Sequence, residues 1–225
     1  WKNYQDFTYN QLTELMTNYG KFDILWLDGG WITGEEVRLD EVLANARGGQ
    51  QPGLISVDRT IKGKNENYQT PEHTIPEKQL NHPWETCMPL SGAWGWVPNA
   101  TFKTSNHVVN LLSEIVAKGG CFVLGVGPTA EGLIQPEVVE RLQGVGKWLR
   151  ANGKAIYNTR TTPHYNDGRT WFTADKDGKT LYAIYTLPDN EKLPATIEWT
   201  GNIPTGTMKL LKGNRTVKYT CNGDK

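Results

Sequence analysis

Two short apolar runs, each ended by charged residues, constrain the fold of this chain more than any other feature of its sequence. The run at 22–27 is followed by Asp28 and two glycines, and the run at 54–57 is followed by Asp58 and Arg59. Apolar runs of this length are typical of strands that a sheet buries on both faces. The pattern therefore predicts buried strands with charged side chains at their carboxyl ends.

Segments with helical spacing of apolar residues alternate with these runs. Gly20 follows the first segment as a helix stop, and Pro136 opens the last. The predicted helices lie at 9–19, 35–47, 106–118 and 137–151, and further strands are predicted at 84–90 and 121–126. Residues 60–80 are polar and predict a long loop, which in a compact domain is usually functional.

Repeated strand-then-helix units indicate a parallel α/β architecture. Only about four such strands are visible, so we predict the second half of a (β/α)8, TIM-like barrel, with its chemistry at the carboxyl ends of the strands. A doubly wound sheet is the rival architecture, but no Gly-rich phosphate loop supports it.

The pattern changes after about residue 157 to short alternating runs, which is typical of a small antiparallel β-sandwich. The runs lie at 170–174, 180–186, 195–199 and 208–211. We therefore predict two domains, the C-terminal portion of a barrel at 1–156 and a β-sandwich at 157–225.

Composition excludes several classes of function. The 225 residues include 24 basic and 24 acidic side chains, and a net charge of zero gives no electrostatic case for nucleic acid. No run of 18 or more apolar residues exists, so no membrane span is predicted. The three cysteines are widely spaced and make neither a disulfide framework nor a zinc pattern, and neither a metal nor an organic cofactor is expected. The chain has nine tryptophans, and a scattered tryptophan usually indicates core packing. Tryptophans clustered near carboxylates, however, suit a carbohydrate ligand, because the apolar faces of sugar rings stack on aromatic planes.

Asp28 and Arg59 are the first candidates for chemistry. An acid directly after an apolar strand is costly to place without a partner, and the two following glycines let a ligand approach the backbone closely. The alternative for Asp28 is a cap on the next turn or helix. Arg59 is expected either to bind sugar hydroxyls and hold a carboxylate ionised, or to form a structural salt bridge.

Glycoside hydrolysis needs two carboxyl groups, one as nucleophile or base and the other as proton donor. Glu72 lies in the long predicted loop, where a glutamate is commonly just solvated but where a proton donor can also be carried. Glu85 lies in a strand-like segment and is expected to be buried and paired. Asp28 with either glutamate meets the chemical requirement, although spacing along the chain does not show that they meet in space.

Several separate motifs support a more specific interpretation. They are Leu-Trp-Leu-Asp-Gly-Gly-Trp at 25–31, Val-Asp-Arg at 57–59, Thr-Pro-Glu at 70–72, Trp-Glu-Thr-Cys at 84–87, the segment 91–99 with its Trp-Gly-Trp, and Lys-Gly-Gly-Cys-Phe-Val-Leu-Gly-Val-Gly-Pro at 118–128. In order and interval these motifs resemble the α-L-fucosidases of glycoside hydrolase family twenty-nine. The resemblance covers residues 1–157, and a following β-sandwich is also what that family carries.

The resemblance implies a role for each matching residue. Asp28 would be the nucleophile that forms a covalent fucosyl–enzyme intermediate. Trp26 would line the fucose pocket, Arg59 would bind near the nucleophile or the sugar hydroxyls, and Trp94 would pack on the apolar C5-methyl side of the sugar.

The acid/base is implied less directly, because in this family the role falls on different positions in different members. Glu72, the glutamate of the Thr-Pro-Glu motif, is the first choice. Glu85 is the second choice for the acid/base and is otherwise expected to bind substrate.

As a whole, the resemblance implies a retaining exo-α-L-fucosidase that releases terminal α-L-fucose from glycoconjugates or oligosaccharides. The alternatives are a non-catalytic carbohydrate-binding protein and a retaining glycosidase of different sugar specificity on the same fold. The family's sugar pocket also uses histidines and aromatics from the first half of the barrel, whereas the four histidines of this chain lie outside those motifs. The N-terminal half of the barrel is therefore expected as a partner, and a periplasmic or secreted location would suit an enzyme that trims glycans.

Overall fold

The computed structural model describes residues 1–57, 59 and 64–223. The chain forms two compact units, which we call the first unit (Trp1–Thr70 with Asn81–Glu85) and the second unit (Pro71–Leu80 with Thr86–Lys225). The boundary between these two units differs from the domain boundary predicted at residue 156. The predicted domain boundary remains a prediction.

The first unit contains two helices and two short parallel strands. They are helix α1 (Lys2–Asn18), strand β1 (Ile24–Trp26), helix α2 (Leu39–Gly48) and strand β2 (Ile55–Val57). The buried residues of both helices recur at three- and four-residue spacing, so each helix turns one apolar face inward. Together with the strands these faces form a core of Leu12, Met16, Leu25, Ile32, Val37, Leu39, Val42, Leu43, Ala46 and Leu54.

A buried glutamine holds the first strand against the end of the first helix. The Gln51 side-chain amide donates hydrogen bonds to the carbonyls of Met16 at 3.0 Å and Gly20 at 2.7 Å. Its amide oxygen accepts from the Phe22 backbone N–H at 2.8 Å. Because the last carbonyls of a helix have no partner within the helix, Gln51 supplies a donor that the backbone lacks.

The second unit begins with an α/β portion. Its elements are strand β3 (Trp84–Pro89), most of which lies in this unit, helix α3 (Ser105–Ala117), strand β4 (Gly120–Gly125) and helix α4 (Pro136–Asn152). Strands β3 and β4 pair with each other. The Thr104 hydroxyl caps α3 by accepting from the His107 backbone N–H at 3.0 Å, and Pro136 occupies the first turn of α4, where no N–H is needed.

The C-terminal portion of the second unit is an antiparallel sheet of four strands. The strands are β5 (Thr159–Arg160), β6 (Asn166–Asp167), β7 (Thr170–Asp175) and β8 (Leu181–Tyr185). Strand β7 pairs with each of the other three. Ile184 of β8 packs with Ala155 and Ile156, and the partly buried Trp171 and Tyr182 lie against this cluster.

The four predicted helices and six of the predicted strands are confirmed, with different ends. Helix α1 begins at Lys2, well before the predicted start at residue 9, because its first turns are largely exposed and carry no apolar period to reveal them. Helix α2 begins at Leu39 rather than at residue 35. Arg38 has a φ of +52°, a left-handed conformation that a helix does not continue through.

The strands predicted at 195–199 and 208–211 are wrong. Residues 195–199 form no strand, and within 208–211 only Lys209 pairs, in an isolated bridge with Thr216. Around this bridge the Leu210 N–H donates to the Arg215 carbonyl and the Val217 N–H donates to the Met208 carbonyl, both at 2.9 Å, but the pairing ends after that one bridge. Alternation alone does not make a strand, because a ladder also needs a partner segment that stays alongside it. The predicted loop at 60–80 is confirmed for residues 64–80, which carry only isolated bridges at Gln69 and Glu72. Asp58 and residues 60–63 lie outside the described residues.

Candidate active site

The register of the two parallel strands brings Asp28 and Arg59 together. Trp26 pairs with Val57, and the Leu27 N–H donates to the Val57 carbonyl at 2.8 Å. Asp28 and Arg59 each follow the paired residues by two positions, so they leave the same edge of the sheet side by side. Arg59 Nη1 donates to Asp28 Oδ1 at 2.6 Å.

The two partners of this ion pair differ in exposure. The Arg59 side chain is 6% exposed, whereas that of Asp28 is 62% exposed. The guanidinium lies 5.1 Å from the centre of the Trp26 ring, a distance at which the ring attracts a cation. The buried guanidinium therefore holds the Asp28 carboxylate in place while leaving it open to solvent. A carboxylate nucleophile needs both a fixed position and access to its substrate.

Glu85 lies in the first unit as well, in strand β3. It is half-buried, and the Tyr68 hydroxyl lies 3.5 Å from its Oε1 atom. Its backbone N–H donates to the Gln69 carbonyl at 2.8 Å. Glu85 was expected to be paired, and its partner is the Tyr68 hydroxyl, at a distance that is the outer limit for a hydrogen bond.

Glu72 lies in the second unit, in a cluster with Trp94 and His73. Trp94 Nε1 donates to Glu72 Oε1 at 2.9 Å, and His73 Nε2 lies 3.6 Å from the same oxygen. The rings of His73 and Trp94 lie 5.2 Å apart, tilted by 48°. Glu72 is held by backbone as well, since it bridges Cys87 in parallel and the His73 N–H donates to the Cys87 carbonyl. The cluster can hold a carboxyl group beside an aromatic surface.

Glycines at the end of β4 make room for this cluster. A Cβ on Gly125 would lie 2.8 Å from Trp94 Cζ3, and a Cβ on Gly127 would lie 2.5 Å from the Gly95 carbonyl carbon. Real Cβ atoms do not approach other atoms so closely, so both positions require glycine for the segment carrying Trp94 to pack. Neither glycine was among the sequence-predicted site residues, nor was His73. The signal in the sequence was the short spacing of glycines directly after an apolar run.

The structure thus gathers the six sequence-predicted residues into two groups. Trp26, Asp28, Arg59 and Glu85 belong to the first unit, with direct contacts between Asp28, Arg59 and Trp26. Glu72 and Trp94 belong to the second unit and are hydrogen-bonded to each other. The catalytic roles predicted for these residues remain predictions.

Over residues 1–57, 59 and 64–223, no three His, Cys, Asp or Glu side chains are grouped so that they could hold a metal ion. Within the same part of the chain, no helix has both the length and the apolarity needed to cross a bilayer.

Comparison with known proteins gives a consistent result. The family model described as alpha-L-fucosidase matches residues 1–154, which include all six candidate residues. The plasma α-L-fucosidase of Homo sapiens is 31% identical over 96% of this chain and 47% of its own length. That of Rattus norvegicus is 32% identical over 79% of this chain and 42% of its own length. The chain therefore spans about half the length of the curated relatives it matches.

Solved structures share the fold. The α-fucosidase of Thermotoga maritima in complex with fucose is similar with a TM-score of 0.78 and 25% identity, over 99% of this chain and 51% of that chain. The α-L-fucosidase isoenzyme 1 of Paenibacillus thiaminolyticus has a TM-score of 0.71 and 30% identity, over 78% of this chain and 45% of that chain.

Proposed function

The chain belongs to the α-L-fucosidase family, and on that premise we propose that the whole protein is a retaining exo-α-L-fucosidase of glycoside hydrolase family twenty-nine. Its substrates are terminal α-L-fucosyl residues of oligosaccharides or glycoconjugates. The observation that carries the proposal is the Arg59–Asp28 pair at the carboxyl ends of two parallel strands, at 2.6 Å, with the carboxylate open to solvent.

Asp28 acts as the nucleophile. Its carboxylate attacks the anomeric carbon of fucose from the face opposite the leaving group, forms a C–O bond and inverts that centre. The buried Arg59 guanidinium fixes the attacking carboxylate, and Trp26 lines the sugar pocket beneath them. No metal or organic cofactor enters either step.

Glu72 acts as acid and then as base. In its protonated form it delivers a proton to the leaving oxygen as the glycosidic bond breaks. It then removes a proton from the water that attacks the fucosyl–enzyme ester, and α-L-fucose leaves with retained configuration. The Trp94 indole N–H, 2.9 Å from Glu72 Oε1, orients the carboxyl group in both steps, and the exposed ring of Trp94 offers a surface for the fucose methyl group. Glu85, beside the Tyr68 hydroxyl, is the second choice for this role and otherwise binds substrate.

The remainder of the protein completes the site. We assign the described elements to the second half of a (β/α)8 barrel followed by a β-sandwich, and we assign the first half of the barrel to a preceding segment or an associated chain. That half supplies further contacts to fucose. A periplasmic or secreted location is part of the proposal, because the glycans to be trimmed are found there.

The configuration of the fucosyl azide formed when azide is added tests the nucleophile role of Asp28 and the acid/base role of Glu72 in one experiment. The whole protein is assayed with an aryl α-L-fucoside as wild type, Asp28→Ala, Glu72→Ala and Glu85→Ala. Asp28→Ala should lower the turnover rate by about a thousandfold or more, and azide should restore turnover with β-L-fucosyl azide as product, since azide then attacks the substrate directly with inversion. Glu72→Ala should lose about a hundredfold or more, and azide should give the α-anomer through the intact intermediate.

The outcomes separate the parts of the proposal. If Glu85→Ala yields the α-azide and Glu72→Ala is nearly normal, the acid/base is Glu85. Hydrolysis of another glycoside but not of α-fucosides would overturn the substrate. Sugar binding without hydrolysis of any glycoside would identify a carbohydrate-binding protein.

A further inference from the structure

Trp31 is the most exposed large apolar side chain among the described residues. It is 75% exposed, and it follows the candidate nucleophile by three positions. A tryptophan that is left in water loses the favourable free energy of burying a large apolar ring. No contact of the hydrophobic core explains its presence, because the core of the first unit includes its neighbour Ile32 but not Trp31 itself.

The segment that directly follows Trp31 is held in place. Ile32 and Val37 are buried in the core of the first unit. Between them, the Glu36 carboxylate accepts from the Thr33 backbone N–H at 2.8 Å, while the Thr33 hydroxyl accepts from the Glu36 N–H at 3.3 Å. These reciprocal hydrogen bonds are those of a capping box. Trp31 therefore directly precedes a fixed turn, and its neighbour Ile32 is anchored in the core.

The indole ring lies over the residue next to the candidate nucleophile. A Cβ built on Gly29 would be 3.6 Å from Trp31 Cζ2, which is ordinary van der Waals contact. Part of the ring thus lies beside Gly29, at a distance that would still leave room for a Cβ, and the side chain as a whole is open. An aromatic plane of this kind, fixed beside a carboxylate, suits the apolar face of a sugar ring.

We propose that Trp31 is the stacking platform for the sugar residue on the leaving-group side of the scissile bond. The inference rests on the proposed fucosidase function and adds a determinant of specificity for the rest of the glycan. An exo-acting enzyme encloses the terminal sugar, whereas the next sugar must run from the pocket toward solvent. Trp26, which is 40% exposed and lies against the buried Arg59, suits the enclosed sugar, and Trp31, which is 75% exposed, suits the next one.

Two substrates with different leaving groups test this assignment. α-L-Fucosyl fluoride has no sugar beyond the scissile bond, and a fucosylated lactose has two. For the whole protein, Trp31→Ala should lower kcat/KM for the fucosyl-lactose by about tenfold and leave that for the fluoride within about twofold. Trp31→Phe, which keeps an aromatic plane, should restore most of the loss. Phe7→Ala, which removes an exposed ring from helix α1, is the matched control and should change neither substrate.

Other outcomes overturn the inference. Equal losses on both substrates would place Trp31 in the fucose pocket, and no loss on fucosyl-lactose would leave it without a role in binding. A melting temperature lowered by Trp31→Ala, with both activities reduced together, would mean that the ring is a packing contact within the whole protein. If the wild-type protein hydrolyses neither substrate, the proposed function itself fails, which is a different result from any of these.

Discussion

Arg59 and Asp28 stabilise each other through their ion pair. The guanidinium is almost fully buried, and a buried cation that loses its partner costs several kcal/mol. The carboxylate is open, so on its own it would sample several rotamers in water. The ion pair compensates the buried positive charge of Arg59 and restricts the side-chain rotamers of Asp28. The same contact therefore serves both the stability of the first unit and the geometry of its candidate nucleophile.

Replacement of Arg59 should separate these two effects. Arg59→Met keeps the apolar stem and removes the charge, so no buried cation is left unpaired and the fold should persist. The lost hydrogen bond to a charged group should raise the activation free energy for fucosyl fluoride by about 1.5–3 kcal/mol. This corresponds to a fall in kcat/KM of roughly ten- to a hundredfold. The matched control is Arg38→Met, because Arg38 also lies on an aromatic ring, that of Tyr9, and pairs with Asp6. Equal activity in the two variants would contradict this account of Arg59.

The strands of the first unit are short, and contacts with other parts of the unit do much to position them. Strands β1 and β2 have three residues each, so their ladder offers few hydrogen bonds. Gln51 adds three more, to Met16, Gly20 and Phe22, and so ties the end of α1 to the chain that enters β1. In the second unit, Gly125 has the complementary function of leaving space, for the ring of Trp94.

Gln51→Leu should destabilise the protein. The substitution nearly preserves volume but leaves two carbonyls and one N–H without the partner that Gln51 supplies. Because unsatisfied buried polar groups are costly, we expect a loss of roughly 2–4 kcal/mol in the free energy of unfolding, measured by urea denaturation. Gln69→Leu, at a more exposed glutamine of the same unit, serves as the control. A difference between the two variants below about 1 kcal/mol would refute the role given to Gln51.

Gly125→Ala should alter activity through Trp94. The added methyl group would meet the ring at 2.8 Å, so the ring must move. Since the Trp94 indole N–H is bonded to Glu72, we expect lower activity on aryl fucosides and a shift in tryptophan fluorescence. Gly92→Ala is the control, because a Cβ there meets nothing within 4 Å. Unchanged activity in Gly125→Ala would show that the close approach of Trp94 has no part in the reaction.

These examples show what was predictable from the sequence. The helices and most strands follow from local apolar periodicity, and Asp28 and Arg59 stand out because charge follows a short apolar run. The structure buries only alternate residues of the first of these strands, β1, so the expectation that both faces are buried is not met. Gln51, Gly125 and His73 gave no comparable signal, because their contacts join segments far apart in the chain. The false strands at 195–199 and 208–211 arose for the same reason, since a strand is defined by a partner that local pattern does not reveal.

Over the whole molecule, hydrogen-bonded carboxylates make stability depend on pH. In seven described carboxyl groups the pKa is lower than the ordinary value, chiefly because the ionised form accepts a hydrogen bond. They are Asp6, Glu36, Asp40, Glu131, Asp167, Asp175 and Glu191. Such a group stabilises the fold above its unfolded pKa and loses that contribution as pH falls through its folded pKa. The protein should therefore lose stability in acid.

Asp167 offers a test of this dependence. Hydrogen bonds from the Thr200 backbone N–H and hydroxyl hold the pKa of Asp167 below its ordinary value of 3.8. Asp167→Asn should lower the melting temperature at pH 6, and the gap to wild type should shrink as pH falls from near 3.8 downward, where the wild-type carboxylate is protonated as well. Lys176→Gln, at an exposed residue in the β7–β8 turn, is the control and should leave the melting temperature nearly unchanged at both pH values. A gap that stays constant between pH 6 and pH 3 would rule out the ionised carboxylate as the cause.

The pairing of Trp26 with Val57 also has a consequence for how such a chain can vary over evolutionary time. Asp28 contacts Arg59 because each lies two residues after the paired residues Trp26 and Val57. That relation does not depend on the number of residues between Asp28 and the second strand. Insertions and deletions in the connection between β1 and β2 therefore leave the pair intact. A single deletion within either strand shifts one partner by one rung and turns its side chain to the opposite face of the sheet. We therefore expect variants that keep this pair to differ in the length of their loops but not in the length of the two three-residue strands.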